Sequence, residues 1–228
     1  MQLSFRLRVL VLAVLAAGWF MGTNPARANL IVNGSFESPD IPTGTFQIFP
    51  SIPGWSTTFG SGIEIQDHVA GSPFVGAQHV ELDSNDNSGM SQVVSTVPGQ
   101  TYHLSFAYSP RPGVSAGSNI IQVFFNGVQL DTLALSGVGL QDTSWQVFGY
   151  NVAPSVTSST LEFRAAGASD SLGGYLDDVQ LDRNVSEPST LILFGVGSLT
   201  LVGLGRWRTA LLKKGCSSIY HSNGYKSY

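Results

Sequence analysis

Between residues 29 and 185 the chain carries short runs of β-branched and aromatic residues, separated by turn-forming residues. The runs recur about every ten positions, and most alternate apolar with polar residues, which is the period of a strand with one buried face. No run in this region has the period and the caps of a helix. The clearest predicted strands cover residues 78–82, 101–108, 119–125, 144–152 and 159–165.

Asn126-Gly127 is a strong hairpin signal, since it separates two of these runs and both residues tolerate a positive φ. Roughly eight to eleven short strands fit into about 155 residues, which is typical of a β-sandwich and above all of a jelly roll. The sequence therefore predicts an all-β sandwich as the main domain.

Several segments resemble galactose-binding-like and carbohydrate-binding jelly rolls. NLIVNGSFESP at residues 29–39, followed by Gly54-Trp55, is similar to the opening strand of that group. Residues 80–94, 98–113 and 173–181 resemble its body and its closing strand. The resemblance implies a galactose-binding-like sandwich over residues 29–183, and it leaves the ligand open.

The charge of this region restricts its partners. Residues 29–185 hold 14 of the 15 acidic residues but only three basic ones, Arg111, Arg164 and Arg183, which gives a formal charge of −11. A nucleic-acid-binding domain needs a basic footprint, so this function is excluded. The single cysteine, Cys216, lies outside the region, so the sandwich has no disulfide and no thiol chemistry.

The N-terminus has the three parts of a secretory signal. Arg6 and Arg8 precede an apolar run over residues 9–21, and Ala26-Arg27-Ala28 supplies small residues for signal peptidase. We expect a signal peptide over residues 1–28, cleaved between Ala28 and Asn29. The alternative is a retained membrane anchor.

The C-terminal region contains 18 uncharged residues, 188–205. A helix of this length covers roughly 27 Å, close to the hydrocarbon core of a bilayer. Arg206, Arg208, Lys213 and Lys214 follow directly, and the positive-inside rule places them in the cytoplasm with the sandwich outside. We expect a transmembrane helix at about residues 189–205; the alternative is a buried core helix.

Residues 185–190 (VSEPST), the apolar span and the Arg-containing cluster resemble the PEP-CTERM sorting tail. The resemblance implies recognition by an exosortase, cleavage near Ser186, Glu187 and Pro188, and delivery to the cell envelope, the cell surface or the exopolysaccharide matrix. Ser186 replaces the first proline of the family motif. The sorting segment covers residues 184–214, and a short polar tail, residues 215–228, extends beyond the point where such tails end.

The jelly-roll resemblance also implies a structural calcium ion. In related domains a Glu after the opening motif and an Asp of the closing strand hold Ca²⁺, and these positions are Glu37 and Asp178 here. Backbone carbonyls would complete the shell of oxygen ligands. The alternative is a pair of solvated or hydrogen-bonded carboxylates.

Two motifs are better explained as loops. Residues 83–89 (DSNDNSG) lack the glycine and glutamate positions of a calcium loop, so they predict a polar turn. Residues 113–117 (GVSAG) match the serine-hydrolase pattern, but no helix follows to support the serine.

Aromatic residues and one cation are the candidate ligand contacts. Trp55 and Tyr108 flank predicted loops and could offer flat faces to sugar rings, or could pack in the core. Trp145 lies within an alternating strand and is expected in the core. Arg111 is one basic residue in a long acidic stretch, so we expect it to face a ligand.

These observations favour a non-enzymatic exported protein of the cell envelope or extracellular matrix, whose sandwich binds polysaccharide or has a structural role. An exported glycan hydrolase is the first alternative. It requires two carboxylates about 5–10 Å apart in one cleft, and the candidates are Glu64, Glu81, Asp83 and Glu162. The second alternative is a matrix scaffold that self-associates through exposed edge strands.

Overall fold

The computed structural model describes residues 29–183, which form an all-β domain. No helix occurs between these residues. Twelve strands follow in chain order: β1 Thr45–Phe49, β2 Ser51–Ile52, β3 Trp55–Phe59, β4 Ile63–Asp67, β5 His79–Glu81, β6 Gly89–Ser95, β7 Tyr102–Ser109, β8 Ile120–Phe125, β9 Val128–Leu133, β10 Gln146–Val152, β11 Ser158–Ala166 and β12 Tyr175–Arg183.

The strands form two six-stranded sheets, and every pair of neighbouring strands is antiparallel. Sheet A has the order β1-β4-β5-β12-β7-β10, and sheet B has the order β2-β3-β6-β11-β8-β9. The five strands predicted from periodicity are all present, with ends shifted by two residues or fewer. The predicted β-sandwich is therefore confirmed.

The β8–β9 hairpin turns at Asn126-Gly127, as predicted. The two residues have φ angles of 51° and 76°, and Phe125 pairs directly with Val128. Both central residues therefore have the positive φ angles that the common type I′ hairpin turn requires.

The core lies between the two sheets and is made by alternate residues of each strand. In sheet B the Trp55 ring packs 5.8 Å from Phe36 and 6.1 Å from Phe163, measured between ring centroids. Phe106 of sheet A meets Phe163 edge-on at 5.0 Å. Interlocked aromatic rings of both sheets therefore fill the centre of the sandwich.

The opening segment is irregular, whereas its sequence suggested a strand. Asn29 forms a single bridge with Asp182, and the Leu30 amide donates to the Leu181 carbonyl. Residues 31–44 then form turns and bends without joining a sheet. Asn33 and Phe36 have positive φ angles, which are incompatible with a regular strand.

The predicted signal peptide, sorting segment, transmembrane helix and polar tail lie outside the described residues. The same holds for Ala28, Ser186, Glu187 and Pro188. Within residues 29–183 no helix has the length and hydrophobicity that a bilayer span needs.

Candidate functional site

The outer face of sheet A, which points away from sheet B, carries a group of buried polar side chains. They alternate along β4, β5 and β12 with core residues such as Ile65 and Val80. The register places Glu64 opposite Glu81, and Glu81 opposite Tyr175. We call this group the polar cluster, and its members are Glu64, Gln66, His79, Glu81, Tyr175 and Asp177.

Two carboxylates of the polar cluster share one amide. Gln66 Nε2 donates to Glu64 Oε1 at 2.8 Å and to Glu81 Oε2 at 2.5 Å. Burial raises the pKa of Glu64, against the lowering effects of Gln66 and Arg111. Burial also raises the pKa of Glu81, and Arg111 opposes this shift.

Arg111 reaches the polar cluster from the loop after β7. Its Nη1 donates to Glu81 Oε2, and its guanidinium carbon lies 5.9 Å from the centroid of the Tyr175 ring. The other Glu81 oxygen, Oε1, accepts from the Gly173 amide. Both oxygens of the buried Glu81 carboxylate are therefore engaged within the protein.

Other buried atoms of the polar cluster have no hydrogen-bond partner within the protein. These atoms are Gln66 Oε1, both ring nitrogens of His79 and the Tyr175 hydroxyl. Burial lowers the pKa of His79 to about 3, so its ring is neutral at neutral pH. Buried polar groups are almost always paired, so these four atoms on adjacent strands make the polar cluster the candidate site of the described domain.

An aromatic pair borders these unpaired atoms. The Trp145 ring meets His79 edge-on at 5.8 Å and lies 6.1 Å from the half-exposed Phe74 ring. Trp145 Nε1 donates to the Ser72 carbonyl at 2.9 Å, which fixes the indole. The expectation that Trp145 belongs to the core is wrong. Trp145 lies directly before β10, an edge strand of sheet A, and its side chain faces outward.

The segment 68–78, which carries Phe74, is held by three carboxylates. Asp142 accepts from the Ser72 amide and hydroxyl, and Asp177 Oδ2 accepts from the amides of Phe74 and Val75. The third carboxylate, Glu37, accepts through Oε1 from the amides of residues 77 and 78. These bonds place Phe74 beside the polar cluster.

The predicted calcium ligands Glu37 and Asp178 have hydrogen-bond partners of their own. Glu37 Oε1 accepts two backbone amides, and Asp178 Oδ1 accepts from Gln180 Nε2 at 2.8 Å. Residues 29–183 contain no group of three or more His, Cys, Asp or Glu side chains arranged to hold a metal ion. Backbone carbonyls would therefore have to supply most of a calcium shell, and the ion stays a prediction.

The structure separates the three predicted ligand contacts. Trp55 and Tyr108 are 1% and 0% exposed and point into the core, so the prediction that they face a ligand is wrong. The Tyr108 hydroxyl donates to the Asn119 carbonyl at 2.7 Å, inside the protein. Arg111 alone lies at the polar cluster.

The carboxylates proposed for a hydrolase are only partly brought together. Glu64 and Glu81 are cross-strand neighbours. Glu162 lies in sheet B with Arg164, and buried Asp83 accepts from the Asp170 amide. Residues 83–88 form a turn closed by the Asp83–Asn87 bridge, and residues 113–117 form a loop, as the sequence indicated.

Sequence reasoning missed Gln66, His79, Tyr175 and Asp177 as members of a site. A signal exists for two of the strands, since polar residues alternate with apolar ones in IEIQD and HVE. That pattern predicts an outward face, but a polar outward face is ordinarily solvated. The aromatic cover that buries these residues comes from distant loops, which periodicity does not reveal.

No protein-family model matches this chain. The "Multifunctional-autoprocessing repeats-in-toxin" of Vibrio cholerae is 28% identical over 171 residues, and the match covers 72% of this chain and 3% of the toxin. The "Protein DUF642 L-GALACTONO-1,4-LACTONE-RESPONSIVE GENE 2" of Arabidopsis thaliana is 32% identical over 112 residues, with 44% of this chain and 30% of that protein covered. The chain thus spans a small part of the length of these relatives.

Among solved structures, a Stig cyclase from Fischerella sp. TAU in complex with an indole compound superposes with a TM-score of 0.50 at 16% identity. The match covers 71% of this chain and 100% of the cyclase chain, which shows a shared fold. Carbohydrate-binding modules are also neighbours. One of them, TmCBM61 in complex with beta-1,4-galactotriose, has a TM-score of 0.43 at 17% identity. The match covers 69% of this chain and 99% of the TmCBM61 chain.

Proposed function

We propose that the sandwich is a carbohydrate-binding module of the galactose-binding-like jelly-roll type, with its site on the outer face of sheet A. The observation that carries this proposal is the set of unpaired buried polar atoms on Gln66, His79 and Tyr175 beside the aromatic pair Phe74 and Trp145.

Sugars fit this combination of groups. A sugar ring has an apolar face that packs against an aromatic side chain, and hydroxyl groups that both donate and accept hydrogen bonds. Gln66 Oε1 accepts, neutral His79 offers one donor and one acceptor, and the Tyr175 hydroxyl does both. Phe74 and Arg111, at the border of the cluster, are partly exposed to solvent, so we expect a ligand to enter there.

Substitution of Trp145 tests the proposal. Binding of the purified full-length chain to a panel of uncharged bacterial and plant polysaccharides is measured by affinity electrophoresis. We expect Trp145→Ala to weaken binding at least about tenfold, since it removes the centre of the aromatic surface. Phe59→Ala is the matched control, because this half-exposed aromatic lies in sheet B. No binding by the unsubstituted protein, or equal loss in both variants, would contradict the proposal.

We propose that the domain binds glycan without catalysing a reaction. A glycan hydrolase is the alternative. The close pair Glu64 and Glu81 favours a hydrolase, whereas the engagement of both Glu81 oxygens opposes it. Release of reducing sugars from a bound polysaccharide, abolished by Glu64→Gln, would establish hydrolysis and overturn the non-enzymatic assignment.

We further propose that the protein is exported, processed by signal peptidase and an exosortase, and delivered to the cell envelope or the extracellular matrix through a PEP-CTERM-like tail. The support is the sequence of both termini and the acidic, lysine-free sandwich between them. Mass determination of the mature protein from cells tests this. We expect a product that begins at Asn29 and ends near Glu187, whereas retention of Tyr228 would indicate a plain membrane anchor.

The structural calcium ion at Glu37 and Asp178 is part of the same proposal. If the ion is present, a chelator lowers the melting temperature of the protein, and Glu37→Gln removes this response. An unchanged melting temperature on chelation would exclude a structural ion.

A further inference from the structure

An exposed aromatic side chain lies on the same face as the polar cluster, at the border opposite Trp145. Phe46 is 53% exposed, and on β1 it pairs directly with Gln66 of β4. Side chains paired across neighbouring strands lie on the same face of a sheet. The Phe46 ring therefore flanks Gln66, whose buried Oε1 has no hydrogen-bond partner within the described protein.

The neighbours of Phe46 in β1 show that its ring faces away from the core. Gln47 pairs with Ile65, which is buried between the two sheets, and Phe49 packs against the core. Since side chains alternate along a strand, Phe46 points to the outer face of sheet A. The strand has no charged residue, so Phe46 is an apolar surface of the kind that a sugar ring packs against.

Phe46 and the aromatic pair of Phe74 and Trp145 lie on opposite sides of the polar cluster. Sheet A runs β1-β4-β5-β12, and the Phe74 amide donates to Asp177 of β12. Three strand spacings separate the backbones of β1 and β12, which is roughly 14 Å at about 4.8 Å per spacing. One sugar ring is too short to contact the aromatic rings at both borders, whereas a chain of several sugar residues can contact both.

Resting on the proposed function, we infer that this site binds a glycan chain of several residues, laid across the strands of sheet A from Trp145 to Phe46. Phe46 is a second residue that stacks on a sugar ring, separate from the pair Phe74 and Trp145. The ligand class is therefore an oligosaccharide or polysaccharide chain and not a single sugar.

The chain length of the ligand tests the inference. β-1,4-linked gluco-, galacto- and manno-oligosaccharides of two, four and six residues are titrated into the purified full-length chain by isothermal titration calorimetry. We expect the affinity to rise at least about tenfold between the shortest oligosaccharide that binds and the hexasaccharide, because only the longer chain reaches both borders of the polar cluster.

Phe46→Ala should remove most of this gain and weaken binding of the hexasaccharide at least about fivefold, whereas Phe46→Trp should retain it. Phe59→Ala is the matched control, because this partly exposed phenylalanine lies in sheet B. Thermal unfolding checks that the variants are folded, which we expect for substitutions of exposed side chains.

Equal affinity for short and long oligosaccharides, or a hexasaccharide affinity that Phe46→Ala leaves unchanged, overturns the inference and leaves the carbohydrate-binding proposal standing. A concentration-dependent dimer that Phe46→Ala abolishes, seen by light scattering, would assign Phe46 to self-association and also overturn the inference. Absence of binding to every oligosaccharide of the panel overturns the proposed function itself.

Discussion

The two sheets each carry one arginine–glutamate pair on their outer face, and the pairs differ in their surroundings. In sheet A the Arg111 and Glu81 side chains are 18% and 0% exposed, and in sheet B those of Arg164 and Glu162 are 40% and 13% exposed. Arg164 makes two bonds to Glu162 and lies over the Phe124 ring, with its centre 4.3 Å from the ring centroid. The first pair lies within a covered site, and the second pair is more exposed.

This contrast shows how one architecture supports two kinds of polar face. On sheet B the pair is less deeply buried, with Arg164 40% exposed, so we expect less stability to depend on it. On sheet A the loops that carry Phe74 and Arg111 remove water, so each polar atom must find a protein partner or remain unpaired. The unpaired atoms of His79 and Tyr175 on sheet A are therefore informative.

The largest expected difference between the two faces concerns the glutamates. Glu81→Ala leaves Arg111 without its partner and removes the acceptor for Gly173, so we expect a loss of about 3–5 kcal/mol in the free energy of unfolding. Glu162→Ala should cost at most about 1 kcal/mol. Urea unfolding followed by tryptophan fluorescence measures both. Similar losses in the two variants would show that the sheet A pair is not buried in solution.

A second difference concerns the pH dependence of stability. Burial raises the pKa of Asp177 from 3.8 to about 7. The contribution of this group to the free energy of unfolding is therefore fully present below pH 4 and is lost as the pH rises to about 7. Hydrogen bonds from Arg164 lower the pKa of Glu162, so its contribution has the opposite sign and is lost as the pH falls through that lowered value. Asp177→Asn should remove part of the decline in the free energy of unfolding between pH 4 and 7, and Glu162→Gln should not. Urea unfolding at a series of pH values measures this difference. An unchanged decline in Asp177→Asn contradicts this assignment.

The smallest expected effect separates two buried tyrosines. The Tyr108 hydroxyl donates to the Asn119 carbonyl and accepts from the Leu135 amide, so Tyr108→Phe should cost about 1–2 kcal/mol. The Tyr175 hydroxyl has no hydrogen-bond partner within the described protein, so Tyr175→Phe should leave stability unchanged or raise it while it weakens glycan binding. Thermal unfolding and affinity electrophoresis measure the two effects. A destabilised Tyr175→Phe with normal binding would show that the hydroxyl is structural.

The sequence was sufficient for the strands and the β8–β9 turn, because periodicity and Asn-Gly chemistry are local properties. It was not sufficient to assign the faces of the tryptophans. Trp55 and Trp145 lie next to similar turn signals, and only the sheet pairing places Trp55 between Phe36 and Phe163 and Trp145 at the outer edge.

The closing strand shows the same limit. Asp177 and Asp178 are adjacent, and in a regular strand adjacent side chains point to opposite faces. The pairing of β12 with β7 is irregular between Asp177 and Gln180, and Asp178 has a φ of 47°. This irregularity leaves Asp177 buried under the amides of Phe74 and Val75, a role that depends on a contact more than 100 positions apart.

The bridge between Asn29 and Asp182 brings the two ends of the described domain side by side. Asn29 Oδ1 also accepts from the Leu181 amide at 2.9 Å, which fastens the beginning of the domain to its end. A fold whose two ends emerge from one spot can be inserted into a loop of a larger polypeptide without stretching its host.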